Sequence, residues 1–234
     1  MLCLVGDNGA GKSTVIKMLS GAVRPDRGAV TLDGREVAFS GPADAREAGI
    51  ETVHQDLALC PNLGAAHNLV LGREPRRGRL GSLALFDRSA AVGESATRLA
   101  RVGVELDDLL RPVAELSGGQ RQIVAIARVV RDGLSVVILD EPTAALGVHQ
   151  TGNVLRLTRT LAANGTAVVM ISHDVESVLK VSDRVVVLKH GRVSHEGPTS
   201  ELDARSLVHL MTGLGLTDDT ADTRQAVDDE KRHA

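Results

Sequence analysis

An α/β fold is what this sequence predicts: a mainly parallel sheet flanked by helices, with an α-helical subdomain inserted into it. Three observations carry that prediction. A short apolar strand, Leu2–Val5, runs directly into a glycine-rich loop and a helix start. Two continuous apolar runs, Val136-Val137-Ile138-Leu139 and Ala167-Val168-Val169-Met170-Ile171, are too short for helices and suit parallel strands buried on both faces. Strand and helix patterns then alternate along the chain, except over residues 57–111, where helical patterns take over.

After the opening strand, Val15, Ile16, Met18 and Leu19 recur at helical spacing from about Lys12, and Gly21 ends that helix. Residues 29–32 and 36–39 flank Asp33-Gly34, a hairpin pair because both residues tolerate positive φ. Residues 43–48 read as a short helix and Ile50–Val53 as a strand. Residues 65–71 and 89–102 are the helices of the insertion, separated by a Gly/Arg-rich stretch from Gly72 to Gly81. In that stretch Arg76, Arg77 and Arg79 read as a solvated charge cluster. A helix over 120–130, the strand 136–139, a helix over 154–163, the strand Ala167–Ile171 and a short helix over 175–180 resume the alternation. Residues 184–188 and 192–195 flank His190-Gly191 as a closing hairpin. From Gly213 the chain is polar and rich in Asp, Thr and Arg, the composition of a disordered tail. The expected organisation is one domain over 1–212, with a core of 1–56 and 112–212 and a helical subdomain of 57–111, then a tail over 213–234.

Composition narrows the function. The 234 residues carry a net charge of −3 and 43% hydrophobic side chains. That balance is ordinary for a globular chain and lacks the basic excess that holds nucleic acid. No apolar run approaches the roughly 20 residues of a membrane-spanning helix. Two cysteines, Cys3 in the opening strand and Cys60 before Pro61, fit a reduced compartment better than a disulfide scaffold. With two Phe and no Tyr or Trp, the core must be built from Val, Leu, Ile and Ala.

Three constellations carry chemistry. Gly6-Asp7-Asn8-Gly9-Ala10-Gly11-Lys12-Ser13-Thr14 is the G-x-x-x-x-G-K-[ST] phosphate loop in its strand–loop–helix setting. Glycines let the backbone wrap closely and turn its N–H groups toward an anion. The helix aims its positive end at the same place. Lys12 reaches the β/γ-phosphates, and the Ser13 hydroxyl is a Mg²⁺ ligand. At average composition the four fixed positions coincide about once in 10⁴–10⁵ windows, so a chance glycine turn is set aside. The second constellation is Asp140-Glu141, two carboxylates ending a buried apolar strand. Charge there needs a partner. Asp140 is placed to anchor Mg²⁺, and Glu141 to orient and deprotonate a water for in-line attack on a γ-phosphate. The third is Leu116-Ser117-Gly118-Gly119-Gln120, a capping serine followed by two glycines at a helix start open to an anion. A plain N-cap accounts for Ser117 but not for two glycines that weaken the first turn.

These motifs, in this order, resemble the ATP-hydrolysing subunits of ATP-binding-cassette (ABC) transporters. The set is the phosphate loop, the signature at residues 116–120, the Asp140-Glu141 strand end and a strand-terminal His173 in Ile171-Ser172-His173-Asp174. The resemblance runs from Leu2 to about Met211 and implies a P-loop NTPase core. It implies ATP as substrate, Mg²⁺ as cofactor, and a dimer in which Ser117, Gly118, Gly119 and Gln120 of one subunit cover ATP held by the other. Gln55, in Thr52-Val53-His54-Gln55-Asp56, matches the family's glutamine loop, which contacts Mg²⁺ or the attacking water. His173 matches the histidine that touches the γ-phosphate. The insertion matches the subdomain that docks a permease; the surface around residues 61–71 is the expected docking patch, with most of those residues read as subdomain core. Peripheral association with the cytoplasmic face of the membrane follows, and no nucleic-acid partner is expected. The runs 49–59, 68–74 and 141–147 look like importers of ribose, xylose or fructose, which implies an extracytoplasmic sugar-binding protein as indirect partner.

Two departures stand out. The family places further strands before the phosphate loop, carrying an aromatic that stacks on adenine. Here only Met1 precedes Leu2, so a shortened chain or a misplaced start is the expectation, with nucleotide binding weakened about 5- to 150-fold. Gly147 stands where the family has an aspartate that serves dimer communication. Two competing readings follow: a weakly binding assembly or regulatory module without significant hydrolysis, and a cassette protein of DNA repair or translation, which the charge balance disfavours.

Overall fold

The computed structural model describes residues 1–77 and 85–212. Strands β1 (Leu2–Val5), β4 (Ile50–Val53), β7 (Val136–Asp140), β8 (Ala167–Ile171), β9 (Arg184–Lys189) and β10 (Arg192–Pro198) form one sheet in the order β10-β9-β1-β8-β7-β4. Every pairing is parallel except that of β10 with β9. The apolar runs are continuous because both faces of the sheet are covered. Cys3, Val5, Val137, Leu139, Val168 and Met170 face one layer, and Leu4, Ile138, Ile171 and Leu188 face the other.

On the first face lie α3 (Ala65–Val70), α4 (Arg88–Arg101), α5 (Gly118–Val129), α6 (Val148–Ala163), α7 (Val175–Val181) and α8 (Ala204–Thr212). They contribute Leu69, Leu99, Ile126, Leu157, Val178 and Leu207 to one cluster. Leu69 and Leu99 thus share a core with the sheet residues Val137 and Leu139, so the helical insertion has no separate interior. On the second face lie α1 (Lys12–Leu19), α2 (Pro42–Glu47) and the separate hairpin of β2 (Val30–Leu32) and β3 (Arg35–Val37). Both two-residue turns have the positive φ pair that matches strand twist: 50° and 75° at Asp33-Gly34, 49° and 74° at His190-Gly191.

Several elements depart from expectation. In the Gly/Arg-rich stretch a short antiparallel pair forms, β5 (Arg76–Arg77) with β6 (Leu85–Phe86); Arg79 lies outside the described residues. α5 begins at Gly118 rather than 120, because Ser117 caps it directly. α6 begins at Val148, six residues before the expected 154, since Thr151, Gly152 and Asn153 interrupt its apolar period. The unexpected α8 is held by Leu207 and Met211, which are buried four residues apart, and by Asp203, which accepts from Ser206 N at 2.7 Å. The tail expected over 213–234 lies outside the described residues. Cys3 and Cys60 are both free thiols. Among the described residues no helix is long and apolar enough to cross a membrane.

Candidate active site

Strand register sets the site. Leu4 and Asp140 both pair with Ile171, and Val53 pairs with Leu139. The carboxyl ends of β1, β4, β7 and β8 therefore meet at one rim, and each leads into a segment singled out from sequence. A cleft of about 440 Å³ opens there, lined by Asn8 to Thr14, Gln55, Asp140, Glu141 and His173. This is where a parallel sheet offers a ligand site.

The phosphate loop is shaped by tertiary contact as much as by its own glycines. At Gly6 φ is 143°, and a Cβ there would stand 2.2 Å from the Leu188 carbonyl oxygen of β9. Only a residue without a side chain lets the loop leave the sheet at that point. Gly11, at φ 105°, caps α1 without any side-chain hydrogen bond, which leaves the helix start open toward an anion. Gly191 N donates to Ala10 O at 2.9 Å, so the closing hairpin braces the loop from outside. Lys12 Nζ donates to Gly6 O at 2.6 Å and Asp7 O at 3.0 Å, folded across its own loop.

The acidic side faces that loop. Burial raises the Asp140 carboxyl above its ordinary range; His54 and Lys12 pull it back down, and Glu141 pushes it up. Such a carboxyl gains from a cation. Ser13, Gln55 and Asp140 all line the cleft and offer a hydroxyl, an amide and a carboxylate oxygen, a hard donor set that fits Mg²⁺. Glu141 sits in the left-handed region at φ 50°, with its N–H donating to Ile171 O at 3.0 Å. That backbone costs about 1–3 kcal/mol and persists because the neighbouring strand enforces it. Its Oε2 lies 2.9 Å from His173 Nδ1; the Glu141 side chain is 16% exposed and that of His173 72%. A largely hidden carboxylate is thereby held by an exposed imidazole.

The signature segment lies elsewhere. Ser117 accepts from Gln120 N at 3.2 Å, and Gln120 Oε1 accepts from Ser117 N at 2.9 Å, a reciprocal cap on α5. None of Ser117, Gly118, Gly119 and Gln120 lines the cleft. The two glycines have a packing reason that sequence did not reveal. A Cβ at Gly119 would stand 2.9 Å from Gln150 Cβ, and one at Gly118 3.2 Å from Leu146 Cδ2. The start of α6 presses on Gly119, and the turn before it on Gly118.

A second hollow of about 390 Å³ runs along Gln55, Leu57, Leu59, Pro61, Val113 and Arg121, sharing Gln55 with the cleft. Most of 61–71 is interior, as the core reading of those residues expects: Ala65, Ala66, Leu69 and Val70 are fully buried, because α3 packs between α4 and α5, while Leu63 and Leu71 stay exposed. Sequence reading also missed Asn68, fully buried, whose side chain bonds Cys60 N and the carbonyls of Cys60, Leu63 and Gly64. An asparagine in an otherwise apolar helical run was the available signal.

Comparison with known proteins agrees with this geometry. A family model described as ABC transporter matches residues 1–144. Fructose import ATP-binding protein FrcA of Rhizobium meliloti is 46% identical over 195 residues, 82% of this chain and 75% of its own length. Xylose/arabinose import ATP-binding protein XylG of Sulfolobus acidocaldarius is 39% identical over 216 residues, covering 92% and 84%. Ribose import ATP-binding protein RbsA 2 of Streptomyces avermitilis is 43% identical over 213 residues, and this chain spans 41% of its length. Among solved structures, the dimeric post-hydrolysis state of the cassette MJ0796 bound to ADP and Pi superposes with TM-score 0.68 at 26% identity, covering 85% of both chains. CbiO1 of Clostridium perfringens, part of the transporter complex cbiONQ, gives 0.71 at 29% identity, covering 86% of this chain and 77% of its own.

Proposed function

This chain belongs to the ABC transporter family, and on that premise we propose that it binds and hydrolyses ATP to energise a membrane permease that imports a monosaccharide. The observation that carries the chemistry is the Glu141–His173 pair, at 2.9 Å, in the same cleft as the phosphate loop.

Triphosphate lies along the loop, held by backbone amides and the start of α1, with Lys12 leaving its loop carbonyls for the β/γ-phosphates. Ser13, Gln55 and Asp140 hold Mg²⁺, which when bound neutralises charge on the phosphate oxygens. Glu141 takes a proton from the water that attacks the γ-phosphorus in line, and the γ-phosphate leaves ADP. His173 orients the carboxylate and reaches the γ-phosphate from the exposed side. Because the signature residues stand outside the cleft of their own chain, ATP is enclosed only when a second subunit supplies Ser117 to Gln120. Closure and reopening of that dimer drive the permease, whose cytoplasmic surface docks at the hollow beside Gln55. An extracytoplasmic sugar-binding protein delivers the solute, and the cassette works as a peripheral subunit on the cytoplasmic face.

The test uses the full chain with Mg²⁺. Glu141→Gln keeps the shape and the contact with His173, so affinity for a fluorescent ATP analogue persists while phosphate release falls about 10²–10⁴-fold. Lys12→Ala loses affinity instead. Unchanged turnover in Glu141→Gln removes Glu141 as the base.

A further inference from the structure

We infer that Arg128 is a positioning residue for this site, holding the loop that carries Gln55 through a forked grip on two backbone carbonyls. Its Nη1 donates to Ala58 O at 2.7 Å and its Nη2 to Leu57 O at 3.0 Å. Arg128 stands at the far end of α5, eleven residues from Ser117, so one rigid helix has the signature at its start and the Gln55 loop in its grip at its end.

Three further observations point the same way. Ala58 lies in the left-handed region at φ 47°, where an alanine does not rest unaided. The hydrogen bonds to its own and the preceding carbonyl hold it there, assisted by Asp56 Oδ1, which accepts from Ala58 N at 3.3 Å. Beyond the grip, Asn68 of α3 fastens Cys60, Leu63 and Gly64, so the segment is anchored on its outer side as well. Arg121, from the first turn of α5, donates to Leu116 O at 2.6 Å and lines the hollow that contains Gln55 and Leu57. A planar guanidinium serves two divergent carbonyls at once; an ammonium is a point donor and does not reproduce the fork. Release of the fork lets Ala58 relax and moves Gln55 relative to Asp140 and Glu141, while the phosphate loop on the other side of the cleft is untouched.

The inference rests on the reading of Gln55 as a contact of the nucleotide site, and a double-mutant cycle separates the two. The proteins are the parent chain, Gln55→Ala, Arg128→Met, Gln55→Ala with Arg128→Met, and Arg128→Lys. Methionine keeps the apolar stem and removes the donors. The readouts are affinity for a fluorescent ATP analogue, kcat, and the Mg²⁺ concentration for half-maximal hydrolysis. Arg128→Met lowers kcat about tenfold and raises the Mg²⁺ requirement, with affinity within about threefold of the parent. Arg128→Lys lies between, and it carries the test if Arg128→Met does not fold. In the Gln55→Ala background the Arg128 substitution adds less than about twofold. Equal loss in both backgrounds overturns the inference, because Arg128 then acts through something other than Gln55. Parent-like kcat in Arg128→Met also overturns it. A parent chain that neither binds nor hydrolyses ATP refutes the nucleotide reading itself, and this inference with it; normal parent turnover with additive losses refutes this inference alone.

Discussion

Gly6 and Gly9 lie in the same loop, Gly6 at a fixed position of the motif and Gly9 at a variable one, and the structure assigns them different costs. An alanine at Gly6 meets the Leu188 carbonyl oxygen at 2.2 Å, with φ at 143°. Real Cβ contacts do not fall below 3.0 Å, so the β9 backbone must retreat by about 1 Å or the loop must swing off the sheet. Overpacking of that kind costs about 1–3 kcal/mol, and the backbone conformation about 1–3 kcal/mol more. Taking about 4 kcal/mol as the sum, and 2–4 °C per kcal/mol for a chain of this size, the melting temperature falls by about 8–16 °C. At Gly9 φ is 79° and nothing lies within 4 Å of the added Cβ, so only the conformational cost applies. Gly9→Ala therefore loses about 1–2 kcal/mol, or about 2–8 °C. Thermal unfolding by circular dichroism without nucleotide measures both variants free of any binding contribution. Melting temperatures within about 2 °C of each other refute the claim that β9 presses on the loop.

Asp140→Asn is expected to raise the melting temperature of the nucleotide-free chain at neutral pH. Burial raises the folded carboxyl above its unfolded value, so the native state binds the proton more tightly and stability falls as pH rises through that window. The advantage of the amide shrinks as pH falls toward about 3.9, where the unfolded carboxyl is also protonated; a constant advantage across that range contradicts it. Asn68→Ala leaves the part-buried Cys60 N–H and three carbonyls without their partner and costs about 2–4 kcal/mol, read as a lower urea midpoint at unchanged slope. Burial pushes the Cys3 thiol up to about 12, so maleimide at pH 8 modifies one thiol, Cys60, in the native chain and two in denaturant. Rapid labelling of both thiols in the native chain contradicts the buried placement of Cys3.

Local chemistry decided much of this protein without help. The phosphate loop, the paired carboxylates at Asp140-Glu141, the two Xaa-Gly hairpin turns and the continuous apolar strands all follow from steric and periodic rules that act within a few residues. Those rules do not reach across the sheet. They could not show that Gly6 is required by Leu188, that Gly118 and Gly119 make room for Leu146 and the start of α6, or that Ser117 to Gln120 stand outside their own cleft. Nor could they show that Arg128 grips the Gln55 loop 71 positions away. Helix boundaries slipped where polar first turns hid the apolar period, as at Val148, and α8 went unseen because its burial depends on the sheet beneath it. What tertiary structure alone decided is distance between residues far apart in the chain, since strand order and register, rather than spacing along the sequence, determine which side chains share a cleft.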